Sequence, residues 1–454
     1  MPPSVDPAPG RRDGRGGRWL PFWLGNLSGL LVATLLFVLL PVIDGPEDLE
    51  PGELVIISGR DDSVGGQRQA LIDLWNASHP RNQARIVSLS EAADGQHAEM
   101  VNRAQDDTDI DVFNLDVTWT AEFADKNLLR PIDESRLVDR PDEVFLKNPL
   151  STCRYEGDLW ALPFNTDAGL LFHRTDLGLQ PPFEWPEIES ESARLLAAKV
   201  PGLEAGYTSQ LADYEGLTVN TLEALWAADG ELRVDEQGHV SVDRDRFADA
   251  LRSLTPAGAG DPAAGPSVVS PKALTQNEAR SRESFRAGEV AFMRNWPVAY
   301  RQLTDTDATT APSTPSAATV RFGVETLPGP SVLGGQNLAV ARRSQQPRAA
   351  QALIAFLTGE QSQRMLFERG GFAATRDVVY SEAAIKAKYP YVDKLRKAVD
   401  TARLRPVSPH YVHFSRVLRG YVRTALTGGT LPSDLDQRLS EALRGATPTA
   451  PAQD

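Results

Sequence analysis

The sequence predicts an α/β protein with a mainly parallel sheet, preceded by one transmembrane helix. Three observations predict it: an uncharged run from Trp19 to Ile43 behind a group of arginines, strand and helix patterns that alternate from Leu54 to Leu115, and the return of that pattern at Asn337 after a long, more helical middle.

The N-terminal run comes first. Arg11, Arg12, Arg15 and Arg18 precede it, and its 25 residues contain no charge. As a helix this length spans about 37 Å, more than the roughly 30 Å hydrocarbon core of a bilayer. Trp19 and Trp23 stand where interfacial aromatics belong, and arginines before a span keep that end cytoplasmic. Residues 1–18 are therefore expected inside, 19–43 as a signal anchor, and everything after Asp44 outside. Leu40-Pro41-Val42-Ile43-Asp44 lacks the small residues of a cleavage site, which favours an anchor over a cleaved leader.

Residues 44–52 read as an acidic, Pro/Gly-bearing linker. Leu54 to Ile57 is a strand candidate. A helix with Ala70, Leu71, Leu74 and Trp75 on one face follows it and stops near His79-Pro80. Arg85 to Leu89 is a second strand, Gln96 to Ala104 a polar helix, and Ile110 to Leu115 a third strand. The middle, from about Leu170 to Leu327, reads as more helical. Two low-complexity stretches, 256–271 and 304–318, read as exposed loops. Asn337 to Ala341 is another strand, Arg348 to Arg369 a helical hairpin, and Tyr391 to Leu443 helical with a break at Pro406 and Pro409. Residues 446–454 read as a flexible tail.

Composition narrows the chemistry. A net charge of −14 and a pI near 5.0 make nucleic acid a poor partner. Cys153 is the single cysteine, so there is no intramolecular disulfide, no thiolate zinc site and no lipid-attachment cysteine after the apolar run. Gly59, Gly65 and Gly66 lie between a strand and a helix, but the lysine and hydroxyl residue of a phosphate loop are missing. His410 and His413 share a helical face without a third ligand nearby, and no Gly-x-Ser-x-Gly occurs. Neither a metal nor a cofactor is implied. Asp61 and Asp62 are adjacent and point apart, which does not suit an acid/base pair.

Carbohydrate binding needs carboxylates and amides for hydroxyls and aromatic rings for C–H faces. Asp61-Asp62, Asp116-Val117-Thr118-Trp119, Asn165-Thr166-Asp167, Tyr214-Glu215-Gly216, Asn295-Trp296-Pro297 and Gly334-Gly335-Gln336-Asn337 offer them beside strand ends or loops. Trp75 and Trp226 sit in helix patterns and read as core.

These segments, in this order, resemble the extracellular solute-binding proteins of ABC sugar importers, particularly the trehalose/maltose-binding members of actinobacteria. The resemblance runs from about Leu54 to Leu443. Asp111 to Ala124, Ala161 to Gly169, Tyr214 to Leu217, Phe285 to Pro297 and Pro406 to Tyr411 carry it. It implies a periplasmic-binding-protein-like fold, with two α/β lobes joined by crossing strands and a ligand cleft between them. Lobe one would be 53–165 plus 340–373 and lobe two 170–332 plus 378–445, with crossings near 164–170, 332–339 and 372–378. The ligand contacts it implies are Asp61, Asp62, Asp116, Trp119, Asn165, Asp167, Glu215, Trp296, Gly334, Gly335, Gln336 and Arg376. It further implies a sugar ligand, ABC permease subunits as partners, and no enzymatic activity.

Two departures from the family pattern remove stacking surface: Tyr207-Thr208-Ser209-Gln210-Leu211 replaces an aromatic-Gln pair, and Gln336 replaces an aromatic after Gly-Gly. The competing readings are a membrane-tethered sugar sensor that keeps the fold and an exported glycosidase. Reporter fusions after Asp44 should be active only outside the cell. Cytoplasmic reporter activity there would overturn the anchor and the exported location together.

Overall fold

The structure, a computed structural model, describes residues 49–89, 93–106, 109–259, 267–305 and 320–446. The expected cytoplasmic segment, the anchor, most of the linker and all but Ala446 of the tail lie outside them. Among the described residues no helix is long and apolar enough to cross a membrane.

The strands in chain order are β1 (Leu54–Ser58), β2 (Ala84–Ser88), β3 (Val112–Asp116), β4 (Leu129–Arg130), β5 (Arg154–Tyr155), β6 (Asp158–Leu159), β7 (Leu162–Ala168), β8 (Leu170–Arg174), β9 (Ala205–Thr208), β10 (Leu232–Val234), β11 (Val240–Val242), β12 (Val290–Asn295), β13 (Phe322–Thr326) and β14 (Leu333–Ala341). A first sheet runs β2-β1-β3-β14-β4, with β7 also on β14. Strand β1 is buried on both faces, as an interior parallel strand with an unbroken apolar run should be. It pairs in parallel with β2 and β3, whereas β14 runs antiparallel to β3, β4 and β7. The sheet is thus mixed rather than mainly parallel, because its middle strand returns from far along the chain.

The helix Gln67–Ser78 covers this sheet with Leu71, Ile72 and Trp75, and the Trp75 indole donates to the Asn82 carbonyl at 2.7 Å. Each such buried side chain contributes about 1.5–3 kcal/mol. The loop before the helix caps it: Ser63 Oγ accepts from the Gln67 amide at 2.7 Å and Asp61 Oδ2 from the Arg68 amide at 2.9 Å.

The middle of the chain holds a second sheet, in the order β13-β8-β12-β9, which the resemblance implies through its second α/β lobe but the residue pattern does not show. Its strands are four to six residues long and separated by helices, and every residue of β9 and β12 is buried, so neither shows a period of two. Along β8, Leu171 faces a core shared with Phe414 and Leu418 of the helix Tyr411–Leu426. Leu170 and Phe172 face the opposite core, with Phe285, Tyr389 and Tyr391. The stretch 256–271 is also not wholly exposed, since Val268 and Val269 are buried in the first of these cores and Val269 bridges to Tyr207.

The chain passes between the sheets through Gly169, between β7 and β8, and again from Leu327 to Val332, between β13 and β14. Strand β14 pairs with β7 from Leu333 onward, so the expected crossings at 164–170 and 332–339 run side by side. Arg403 bridges to Val332 alongside the second passage. At Gly335 the backbone has φ +124, and a Cβ there would lie 2.3 Å from the Asn165 carbonyl oxygen. Gly335→Ala should therefore cost about 1–3 kcal/mol in chemical denaturation. An unchanged midpoint would show that the β7–β14 pairing is looser than drawn.

Candidate functional site

Four strands of the first sheet bring polar side chains together at one end. Ser58 closes β1, Asn114 and Asp116 lie on β3, Asn165 and Asp167 on β7, and Gln336 on β14 opposite both Asp116 and Asn165. Asn114 Nδ2 donates to Ser58 Oγ at 2.9 Å and to Gln336 Oε1 at 3.2 Å. Arg68 enters from the helix Gln67–Ser78, donating to Ser58 Oγ at 3.2 Å and to Gln336 Oε1 while lying over the Phe372 ring at 4.9 Å.

The second sheet contributes a buried ion pair. Arg294 on β12 donates from Nε and Nη2 to Glu223 at 2.8 and 2.7 Å and from Nη1 to Gln210 at 3.3 Å. Glu223 Oε1 also accepts from Ser331 Oγ at 3.2 Å and the Val332 amide at 3.1 Å. Burial opposes the Arg294 charge, but the Glu223 carboxylate outweighs it and holds the guanidinium above its ordinary value. The guanidinium stacks on the Trp296 ring at 3.7 Å, whose indole N–H donates to Glu278 at 3.3 Å. A Cβ at Gly334 would meet that ring at 3.2 Å. One face of Trp296 is thus covered by Arg294 and its far edge abuts β14.

Between the two groups lies Arg405. It donates from Nη1 to Glu215 at 2.8 Å and from Nη2 to Asp116 and the Leu333 carbonyl, each at 3.4 Å. Glu215 is the first residue of the helix Glu215–Ala227, and it also accepts from the Tyr411 hydroxyl and from Ser415 Oγ at 2.6 Å. At the start of a helix, the Glu215 carboxylate is also favoured by the helix dipole. Two further bridges join elements of the two sheets: Arg419 Nη2 to Asp94 at 2.8 Å, and Gln302 Nε2 to the Asp62 carbonyl at 3.0 Å.

Of the other expected contacts, Asp61 lies 3.9 Å from the Arg68 guanidinium, and the rest hold further partners. Asp61 caps a helix, and the exposed Asp62 carboxylate pairs with Arg60 at 3.1 Å. Trp119 is buried, its ring edge-on to His97 at 5.3 Å, and His97 is paired with Glu122 at 2.6 Å. Arg376 is spent on Asp139 and the Thr358 carbonyl, each at 2.8 Å, and stacks on Phe145; no recorded contact joins it to the cluster. Among the described residues no group of His, Cys, Asp or Glu side chains could hold a metal.

A family model of bacterial extracellular solute-binding proteins matches residues 81–390. The chain belongs to that family. A relative described as a probable ABC transporter-binding protein, from Deinococcus radiodurans, is 28% identical over 380 residues, covering 79% of this solute-binding protein and 85% of the relative. Among solved structures, maltose-bound MalE3 of T. maritima superposes with a TM-score of 0.73 at 28% identity, over 87% of this chain and 99% of that one. The GacH receptor of Streptomyces glaucescens gives 0.70 at 22% identity, over 88% of this chain and 100% of that one. These neighbours establish the periplasmic-binding-protein-like α/β fold. Like its family, this solute-binding protein is a carrier rather than an enzyme.

Arg68, Asn114, Glu223, Arg294 and Arg405 are the cluster residues that sequence reasoning missed. Asn114 and Arg294 sit inside segments that carry the family resemblance, and Arg405 directly precedes another. For these three the signal is position in or next to such a segment; Arg68 and Glu223 carry none.

Burial pushes the Asp167 carboxyl up to about 7, against the pull of Arg294 and Arg68. As pH rises, the unfolded chain releases this proton near pH 4 while the folded protein holds it to about 7. The contribution to stability is thus complete below about pH 4 and lost as pH climbs to 7. Asp167→Asn, which cannot ionise, should gain in Tm over the wild type across that interval and hold a constant lead above it. A difference independent of pH would show that Asp167 is ionised throughout.

Proposed function

We propose that this solute-binding protein captures a sugar, a disaccharide or short oligosaccharide, at the cluster between its two sheets and delivers it to an ABC importer. In this reading residues 19–43 hold it in the plasma membrane as a single pass, with the C-terminal domain outside. One observation carries the choice of a polyhydroxylated ligand. Asn114 Oδ1, Asn165 Oδ1, Asp167 Oδ1 and Arg405 Nε are buried in one cluster without a protein hydrogen-bond partner. A buried polar group left without a partner costs about 1–3 kcal/mol. These acceptors and the donor suit the alternating hydroxyls of a sugar, and the half-buried Trp296 ring suits its C–H face.

The maltose held by the T. maritima relative and the transporter description of the Deinococcus relative support the same reading. The proposed contacts are Asp116, Asn165, Asp167, Glu215, Trp296, Gly334, Gly335 and Gln336, joined by Asn114 and Arg405. Asp61, Asp62 and Trp119 would shape the wall, and Arg376 would take no part. A ligand touching residues of both sheets favours the state in which they are close.

A thermal-shift panel of mono- and disaccharides tests this reading, since a ligand at a hundredfold excess over its Kd stabilises by about 2.7 kcal/mol. Trp296→Ala should weaken the best sugar by about 1.5–3 kcal/mol, tenfold or more in Kd, with the unliganded Tm nearly unchanged. A panel without a stabilising sugar would defeat the proposal, and a collapse of the unliganded Tm would return Trp296 to the core.

A further inference from the structure

A second pocket opens away from the strand-end cluster and shares only Glu223 with it. Its wall is the helix Glu215–Ala227 and its cap, where Ala224, Ala227 and Ala228 recur at helical spacing and leave a shallow apolar shelf. Trp185 and Tyr207 stand opposite, edge-on to one another with ring centroids 5.1 Å apart. Leu254 and the Leu327-Pro328 step close the remaining sides, and the polar lining is Asn220, Glu223, Asp249 and Ser253, of which the first two are committed to Gln210, Gly216 and Arg294. Ser253 Oγ donates to the Ala250 carbonyl at 2.8 Å, which leaves its lone pairs to accept. The Asp249 carboxylate is half-exposed and meets Arg252 at 2.7 Å.

The pocket measures about 170 Å³. An apolar cavity of about 150 Å³ suffices to hold benzene, so one aromatic ring fits and a disaccharide does not. The walls match that occupant: two rings offer edge and face contacts, the alanines are apolar, and Asp249 and Ser253 of one helix offer acceptors.

We propose that this pocket is a second binding site, for a single aromatic ring bearing one hydroxyl or amino donor directed at Ser253 and Asp249. The site does not depend on the sugar reading, because none of the proposed sugar contacts lines it. Its occupant would touch Leu327 and Pro328, where the chain begins its second passage between the sheets. It would also touch Glu223, which fastens the end of that passage at Ser331 and Val332.

The test uses the full chain in detergent and 4-fluorophenol, followed by fluorine NMR and by Trp fluorescence. Saturable broadening of the fluorine signal is expected. Ala224→Leu and Ser253→Leu, which fill the pocket from opposite sides, should each weaken it at least tenfold; either variant that keeps its Tm decides the matter. Fluorobenzene, which lacks the donor, should bind more weakly than 4-fluorophenol. Absence of saturable binding to the wild type, or equal binding to a folded filled variant, would overturn the site. Equal affinity for fluorobenzene would overturn the proposed donor.

Discussion

The fold turns on one buried ion pair, Glu223 with Arg294. Its partners come from a helix and a strand of the second sheet, yet its bonds reach both passages between the sheets. Glu223 receives Ser331 and Val332 from one passage, and Ser331 Oγ in turn accepts from the Gly169 amide in the other. A Cβ at residue 169 would sit 2.7 Å from both members of the pair, so only glycine lets the chain pass so near. Removing one member of such a pair costs about 3–5 kcal/mol, because the other is left charged in the interior. Here the loss would fall where both passages between the sheets are fastened. The same guanidinium covers Trp296, so one side chain supports both the passages and a candidate ligand surface.

Much of this architecture is legible in the sequence, and the parts that are not have identifiable causes. Strand β1 and the Trp75 helix are readable because their apolar residues follow an unbroken run and a helical period. The second sheet escapes the same reading: β9 and β12 are short, buried throughout, and carry residues such as Thr208 and Arg294 that look polar out of context. The mixed direction of the first sheet escapes too, because β14 pairs with strands more than 150 residues before it, and no local pattern records a partner at that distance.

The site was half legible. Asp116, Asn165, Asp167 and Glu215 could be chosen by type, since carboxylates and amides beside strand ends are what a hydroxylated ligand needs. Their partners could not, because an arginine becomes a site residue only when the fold sets it against them. Arg376 marks the opposite failure. It lies near a cluster segment along the chain, but its guanidinium is consumed by Asp139, Thr358 and Phe145. Glu215 and Asp116 are already paired with Arg405, so in the proposed site a ligand would share either carboxylate with that cation.

The single cysteine has a practical consequence. Cys153 is wholly buried and burial drives its thiol far from ionisation, so reagents that attack thiolates find no target in the folded protein. Two cysteines introduced at surface positions near Asp94 and Arg419 would then be the sole labelling points. Spectroscopic rulers attached there could follow the separation of the two halves in the otherwise natural chain, with no native thiol to remove first.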